Sequence, residues 1–351
     1  MDVAGLAKSS PSREQSLLDS ARAGDEAAFA ELVEAYRREL EVHCYRILGS
    51  LQDAEDALQE TLLRAWAALP GFAARSSVRT WLYKVATNVS LDAIRYRNRR
   101  VLPIDYGPSA EVHSPPGEPL VEAVWIDPLP EALAPAADAS THPEARYEAR
   151  ESVELAFVAA VHHLSPLQRA VLITRDVLGF SASETAEVLG MSVASANSAL
   201  QRARGAVGDR LPAQSQQETL AAIGDSRLRR LVDAFRDAWE RADVDGIVAL
   251  LAEDATMTMP PIPTWFQGRR AIGTFLAEFA FERQGRPVRL VPISASAQPG
   301  FGCYIWDDAG SRYAPVMVQV LSLAGSRISS LDCFAEARYV RAMGLPAELP
   351  G

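Results

Sequence analysis

The chain has 351 residues, 45 Asp and Glu against 35 Lys and Arg, a net charge of −10 and a hydrophobic content of 48%. This length exceeds one ordinary core and predicts two or three domains; the acid excess argues against a basic surface over the whole molecule, and no apolar run reaches the roughly 18 residues that cross a bilayer. The opening stretch MDVAGLAKSSPSREQ lacks the charged, apolar and small-residue order of a secretory signal, so a cytoplasmic location is expected.

Residues 12–100 read as helices: Ala28, Phe29, Leu32, Val33 and Tyr36 recur at helical spacing. The stretch DAEDALQETLLRAW, Asp53–Trp66, sets Asp53, Asp56, Gln59 and Glu60 on a polar face and Ala57, Leu58, Leu62 and Ala65 on an apolar one. Cys44, Cys303 and Cys333 are far apart without a CxxC pair and are expected to be buried thiols. His43 beside Cys44 has no second ligand pair for a metal, and no metal or cofactor is expected. Next comes VRTWLYKVATNVSLDAIRYRNRR, Val78–Arg100, whose Lys84, Arg95, Arg97, Arg99 and Arg100 face only Asp92. Within it Trp81 is expected in the core, and Tyr83 is balanced between core and surface.

Residues 101–150 hold nine prolines and nine acidic residues against Arg146 and Arg150, which predicts an extended acidic linker. Much of the negative charge therefore lies outside the domain that carries the basic stretch. Residues 151–211 return to helical spacing, with Ser165-Pro166 opening one helix and Gly179 and Gly190 ending others. In SASETAEVLGMSVASANSALQRARGAV, Ser181–Val207, Ala186 stands four residues before Gly190 and Ser192 can cap the second of two helices, the pattern of a helix-turn-helix. That second helix would read DNA through Ser195, Asn197, Ser198, Gln201, Arg202 and Arg204.

Together these motifs resemble the extracytoplasmic-function group of bacterial sigma-70 factors: DAEDALQETLLRAW, then RTWLYKVATNVSLDAIR, resembles the sigma-2 domain, and LSPLQRAVLITRDVLGFSASETAEVLGMS the sigma-4 domain. The resemblance implies a sigma factor that binds core RNA polymerase and directs promoter recognition and transcription initiation. It makes Asp53, Asp56, Gln59 and Glu60 polymerase contacts. It makes the loop Phe72–Val78, with Phe72 and Ser76, the captor of a base flipped from the minus-ten element, while Lys84, Asn88, Arg95, Arg97, Arg99 and Arg100 hold the DNA beside it. Such factors often carry Lys at the position of Asn197 and Arg at that of Ala199, so this recognition helix is less basic than usual. The linker is expected either to occupy the basic polymerase channels or to serve as an inert tether.

The last third switches period. Leu228, Leu231, Val232, Phe235 and Trp239 mark a helix, and Thr256–Met259, Val288–Ile293, Gly302–Trp306, Ala314–Leu323 and Arg327–Phe334 read as strands, with a hairpin turn at Asp307-Asp308 and a helix-to-strand turn at Asp254. The stretch RRLVDAFRDAWERADVDGIVALLAEDATMTMPP, then GRRAIGTFL, resembles SnoaL-like domains of the NTF2-like superfamily, a cone with an apolar pocket. Met257, Met259, Trp265, Phe266, Phe275, Phe279, Tyr304, Trp306, Met317 and Phe334 would furnish its walls. The predicted architecture is thus two all-α domains followed by an α+β cone with a curved antiparallel sheet: sigma-2 over 12–100, the linker over 101–150, sigma-4 over 151–211, the SnoaL-like domain over 218–340 and a tail over 341–351. The third domain has no histidine, and among Asp254, Asp307, Asp308, Asp332 and Tyr304 only Asp332 is a candidate to face the pocket. No catalysis is therefore expected, and the domain is read as modulating the sigma factor in cis, with the tail from Arg338 bridging through Leu345 and Leu349. The alternative is a ligand-responsive or bifunctional protein whose third domain binds or turns over a small molecule. A separate anti-sigma protein stays open as a partner; a membrane is not expected.

Overall fold

A computed structural model of the chain describes residues 11–74, 76–95, 99–120, 125–135, 150–281 and 285–351. It divides into two compact units, Met1–Arg99 with Val161–Asp209, and Arg100–Ala160 with Arg210–Gly351.

The first unit is helical: α1 (Pro11–Arg22), α2 (Glu26–Leu48), α3 (Leu51–Ala68) and α4 (Val78–Ile94). The starts of α2, α3 and α4 have a chemical cause. The Asp25 carboxylate accepts from the Ala27 and Ala28 amides, Ser50 caps α3 and Ser77 caps α4, satisfying amides that no helical carbonyl reaches. Gly49 ends α2 at φ 69°, a conformation that favours glycine. After α5 (Pro103–Tyr106) and α6 (Leu155–His162), α7 (Pro166–Leu172) opens with a Ser165–Gln168 capping box and runs into a wider turn at Ile173–Val177. Then α8 (Ala182–Leu189), Gly190 at φ 62° and α9 (Val193–Gly208), capped by Ser192, form the helix-turn-helix.

Helix α8 packs on α4 within this unit. Tyr83 of α4, 1% exposed, meets Phe180 edge-on at 5.5 Å, and the Arg79 guanidinium lies 4.8 Å above the Tyr83 ring. Trp81, expected in the core, is half-buried with its ring 4.7 Å from that of Phe72, whereas Tyr83, left open between core and surface, is core.

The second unit is built on seven strands: β1 (Leu251–Met259), β2 (Ile262–Gln267), β3 (Val288–Ala295), β4 (Gln298–Asp307), β5 (Arg312–Ala324), β6 (Arg327–Phe334) and β7 (Leu349–Pro350). The order is β2-β1-β6-β5-β4-β3, with β7 on β5. Pairings are antiparallel except β1 with β6, which is parallel, so the sheet is mixed. Helices α10 (Gln216–Ile223), α11 (Asp225–Glu240), α12 (Val244–Leu250), α13 (Arg269–Phe275) and α14 (Ala337–Ala342) accompany it. One sheet face closes over Phe235, Trp239, Phe266, Phe275, Phe301, Leu331 and Cys333. Rings fill that interior: Phe235 lies 5.6 Å from Phe301 and Trp239 5.2 Å from Phe281.

Strand alternation puts Asp332 and Phe334 on the opposite face from Leu331 and Cys333. There Phe334 meets Tyr339 of α14, and the Tyr304 hydroxyl donates to the Pro346 carbonyl. Asp332, Phe334 and Tyr304 are therefore not pocket residues. The tail finds its partner surface on its own sheet: Leu349 pairs with Tyr313, and Leu345 lies against Gly302.

Among the described residues the proline-rich stretch is irregular apart from α5, as its prolines dictate, and is laid along the second unit. The Ala110 amide donates to the Trp265 carbonyl at 2.8 Å, the Trp265 indole to the Gly107 carbonyl at 2.8 Å, and the Leu120 amide to Pro261 at 3.0 Å. Farther along, the Ser296 amide donates to the Leu129 carbonyl at 2.7 Å and the Tyr339 hydroxyl to Asp127 at 2.6 Å. Trp125, Ile126 and Leu129 are 3%, 0% and 0% exposed.

Candidate polymerase and promoter surfaces

On α3, Asp56 and Gln59 are exposed and Glu60 is half-buried, its carboxylate accepting from the Arg64 guanidinium at 2.6 Å. Asp53 departs from the expected polar face: it is 8% exposed, in the first turn, where its amide donates to Ser50. In its place Leu63 is 66% exposed. Steps of three and four link Asp56, Gln59, Glu60 and Leu63 along one face. Helical spacing could have found Leu63, which lies three and four residues from Glu60 and Gln59, but only the polar side chains of that face were singled out.

Ahead of α4, Phe72 is 7% exposed and Ser76 half-buried, and both line a cavity of about 450 Å3 reached by α1 and α2. Phe72 therefore offers a wall, not an open stacking platform. Lys84 and exposed Asn88 share a face of α4 one turn apart. At its end Arg95 is exposed and pairs with Asp92 at 3.2 Å, and Arg99 is exposed. Arg97 lies outside the described residues. Arg100 belongs to the second unit, where its guanidinium donates to the Trp125 carbonyl at 2.9 Å.

His43, behind α4, is fully buried with Nε2 at 2.8 Å from the Thr87 hydroxyl; burial, helped by Arg46 and Arg79, pulls its pKa down to about 3, so it is neutral. Among the described residues no group of His, Cys, Asp and Glu has a metal-holding arrangement.

On α9, Ser195, Asn197, Ser198, Gln201 and Arg202 are exposed while Ala196, Ala199, Leu200, Ala203 and Val207 are buried. Arg204 is engaged elsewhere: both ends of its fork meet the Asp176 carboxylate, at 2.8 and 2.6 Å.

In the second unit, Asp332 accepts from Thr258 at 2.7 Å and Ser330 at 2.9 Å, and burial raises its pKa. Asp307 accepts from the Ala309 amide in the hairpin turn, and Asp308 from the Trp306 indole. Asp254 stands exposed within β1, not in a turn. These carboxylates do not converge on a common cavity.

Residues 32–100 match the family model for sigma-70 region 2, residues 154–207 that for sigma-70 region 4, and residues 232–329 that for a SnoaL-like domain. The ECF RNA polymerase sigma factor SigG of Mycobacterium tuberculosis (strain H37Rv) is 42% identical over 332 residues, covering 93% of this chain and 86% of its own. SigJ of the same organism is 31% identical over 225 residues, covering 64% and 62%. The crystal structure of SigJ superposes with a TM-score of 0.59 at 23% identity, over 90% of this chain and all of that one, a likeness of fold. No helix among the described residues is long and apolar enough to cross a membrane.

Proposed function

The chain belongs to the ECF RNA polymerase sigma factor family, and on that premise we propose how its surfaces divide the work. The α3 face of Asp56, Gln59, Glu60 and Leu63 docks on core RNA polymerase, an apolar side chain ringed by polar ones being the usual make-up of an energetic contact. The loop Phe72–Val78 takes an unstacked base of the minus-ten element while Lys84, Asn88, Arg95 and Arg99 hold the adjoining backbone. Helix α9 enters the major groove at the minus-thirty-five element through Ser195, Asn197, Ser198, Gln201 and Arg202.

The SnoaL-like domain has no catalytic part in this reading and works in the cytoplasm as a regulator in cis. Its interior is occupied by aromatic rings, and Asp332 faces away from that interior. Its bound partner is in effect the linker: among the described residues, Gly107, Ala110, Gly117, Leu120, Asp127, Leu129 and Glu131 are hydrogen-bonded to it.

The observation that carries the sigma-factor assignment to particular residues is the two-sided pattern of α9, with Ala196, Ala199, Leu200, Ala203 and Val207 turned inward and Ser195, Asn197, Ser198, Gln201 and Arg202 outward. The polymerase contact is tested by measuring binding of the full chain to core RNA polymerase. Leu63→Asp, at a position 66% exposed and so neutral for folding, should weaken binding by roughly tenfold or more. Unchanged affinity would remove α3 from the docking surface.

A further inference from the structure

The cavity ahead of α4 has walls that the recognised motifs do not contain. Its apolar side includes Leu18, Phe72 and Val78; its polar side comes from Glu14 and Gln15 of α1, Tyr36 and Glu39 of α2, and Arg79. Two carboxylates against one guanidinium make it unfavourable for a phosphate. A neutral, flat group fits its charge and its volume of about 450 Å3 better.

The hydrogen-bonding valences narrow the choice. Arg79 donates from Nε to Glu39 at 3.3 Å, and the same Glu39 oxygen accepts from the Tyr83 hydroxyl at 3.2 Å. The Gln15 amide nitrogen is spent on Asp19 at 3.0 Å, leaving its carbonyl as an acceptor. One Glu14 oxygen accepts from the Tyr36 hydroxyl at 2.9 Å, and among the described residues no donor meets the other. Burial and the Glu14 carboxylate raise the Tyr36 pKa, so that hydroxyl stays a donor and fixes Glu14 in place. On the α1 side of the cavity the open valences are acceptors, the second Glu14 oxygen and the Gln15 carbonyl, while Ser76 and the terminal Arg79 nitrogens stand on the opposite wall as donors.

We propose that Glu14, positioned by Tyr36, selects in this cavity a base with an exocyclic amino group and disfavours thymine, which has none. The inference rests on the reading that the neighbouring loop takes an unstacked promoter base, and it assigns the choice among bases to α1 instead. A carboxylate accepting from an amino group is the pairing by which acidic side chains distinguish cytosine. The amino hydrogen donates to the open Glu14 oxygen, while apolar contact with Phe72 and Val78 replaces lost stacking.

The test uses the full chain with core RNA polymerase and a transcribed parent promoter in which each minus-ten position is varied singly to all four bases. The wild type should disfavour thymine at one position by roughly tenfold. Glu14→Gln keeps the shape but adds a donor that suits the thymine carbonyl, and should reduce that preference to about twofold or less at that position alone. Tyr36→Phe should lessen the same preference at that position by releasing Glu14. If Glu14→Gln keeps the wild-type discrimination, or loses yield equally on all four bases, the inference is overturned and the sigma-factor reading stands. If the wild type transcribes with no base preference at any minus-ten position, base capture itself is wrong.

Discussion

Arg169 is 4% exposed, and its guanidinium donates to the carbonyls of Ile47 at the end of α2, Val161 at 3.1 Å and His162 at 3.2 Å. Burial pulls its pKa down to about 10, which leaves it charged at neutral pH. One side chain thus ties the helices of the amino-terminal half to those that lead into the helix-turn-helix. Arg169→Ala would strand several buried carbonyls and should cost on the order of 3 kcal/mol, measured by chemical denaturation; a loss under about 1 kcal/mol would show that water replaces those bonds. None of this was legible in LQRAV, where an arginine on an amphipathic helix reads as solvated. The same limit governs Tyr83 and Trp81: spacing makes both apolar candidates, and only the approach of Phe180 and Phe72 decides which is enclosed.

At the scale of elements, the recognition helix was the most legible part, because its boundaries are chemical. The Ser181–Glu184 capping box, Gly190 in the left-handed region and the Ser192 cap each leave a local mark in sequence. Its basic side chains were less so. Arg204 lies on the exposed side of α9, but Asp176, 28 residues earlier, holds it in a two-pronged pair. Asp176→Ala should free that guanidinium for phosphate, raising non-specific DNA affinity and steepening the logarithmic salt dependence by about one charge. An unchanged slope in salt-titrated binding would mean Arg204 does not reach the backbone. In the second unit, β1 and β3 to β6 were legible from alternation, but β2 was not: Pro263 lies within it, and prolines at 260 and 261 precede it. Pairing with β1 supplies the order that its own residues do not.

At the scale of the molecule, the proposed promoter surfaces make the state described a closed one. Elements named minus-ten and minus-thirty-five are separated by about 25 base pairs, roughly 85 Å of duplex at 3.4 Å per step, yet α4 and α8 are packed together. On that proposal the helices part for both elements to be read, and the connecting linker is released when they do. Prolines and acidic residues told that this linker is extended; they did not tell that it is docked. The signal was Trp125, Ile126 and Leu129, apolar residues inside an acidic stretch, which bury themselves when a sheet edge offers Ser294–Ser296. Loosening that attachment should favour the open state. The most direct measurement is run-off transcription with core RNA polymerase on a library of genomic fragments, comparing the full chain with a Ser296→Ala, Tyr339→Phe variant that loses the side-chain bonds to Leu129 and Asp127. The account predicts polymerase-dependent transcripts from a discrete set of promoters, the same set for both proteins, with a several-fold higher yield from the variant; no specific transcript from either protein would contradict it.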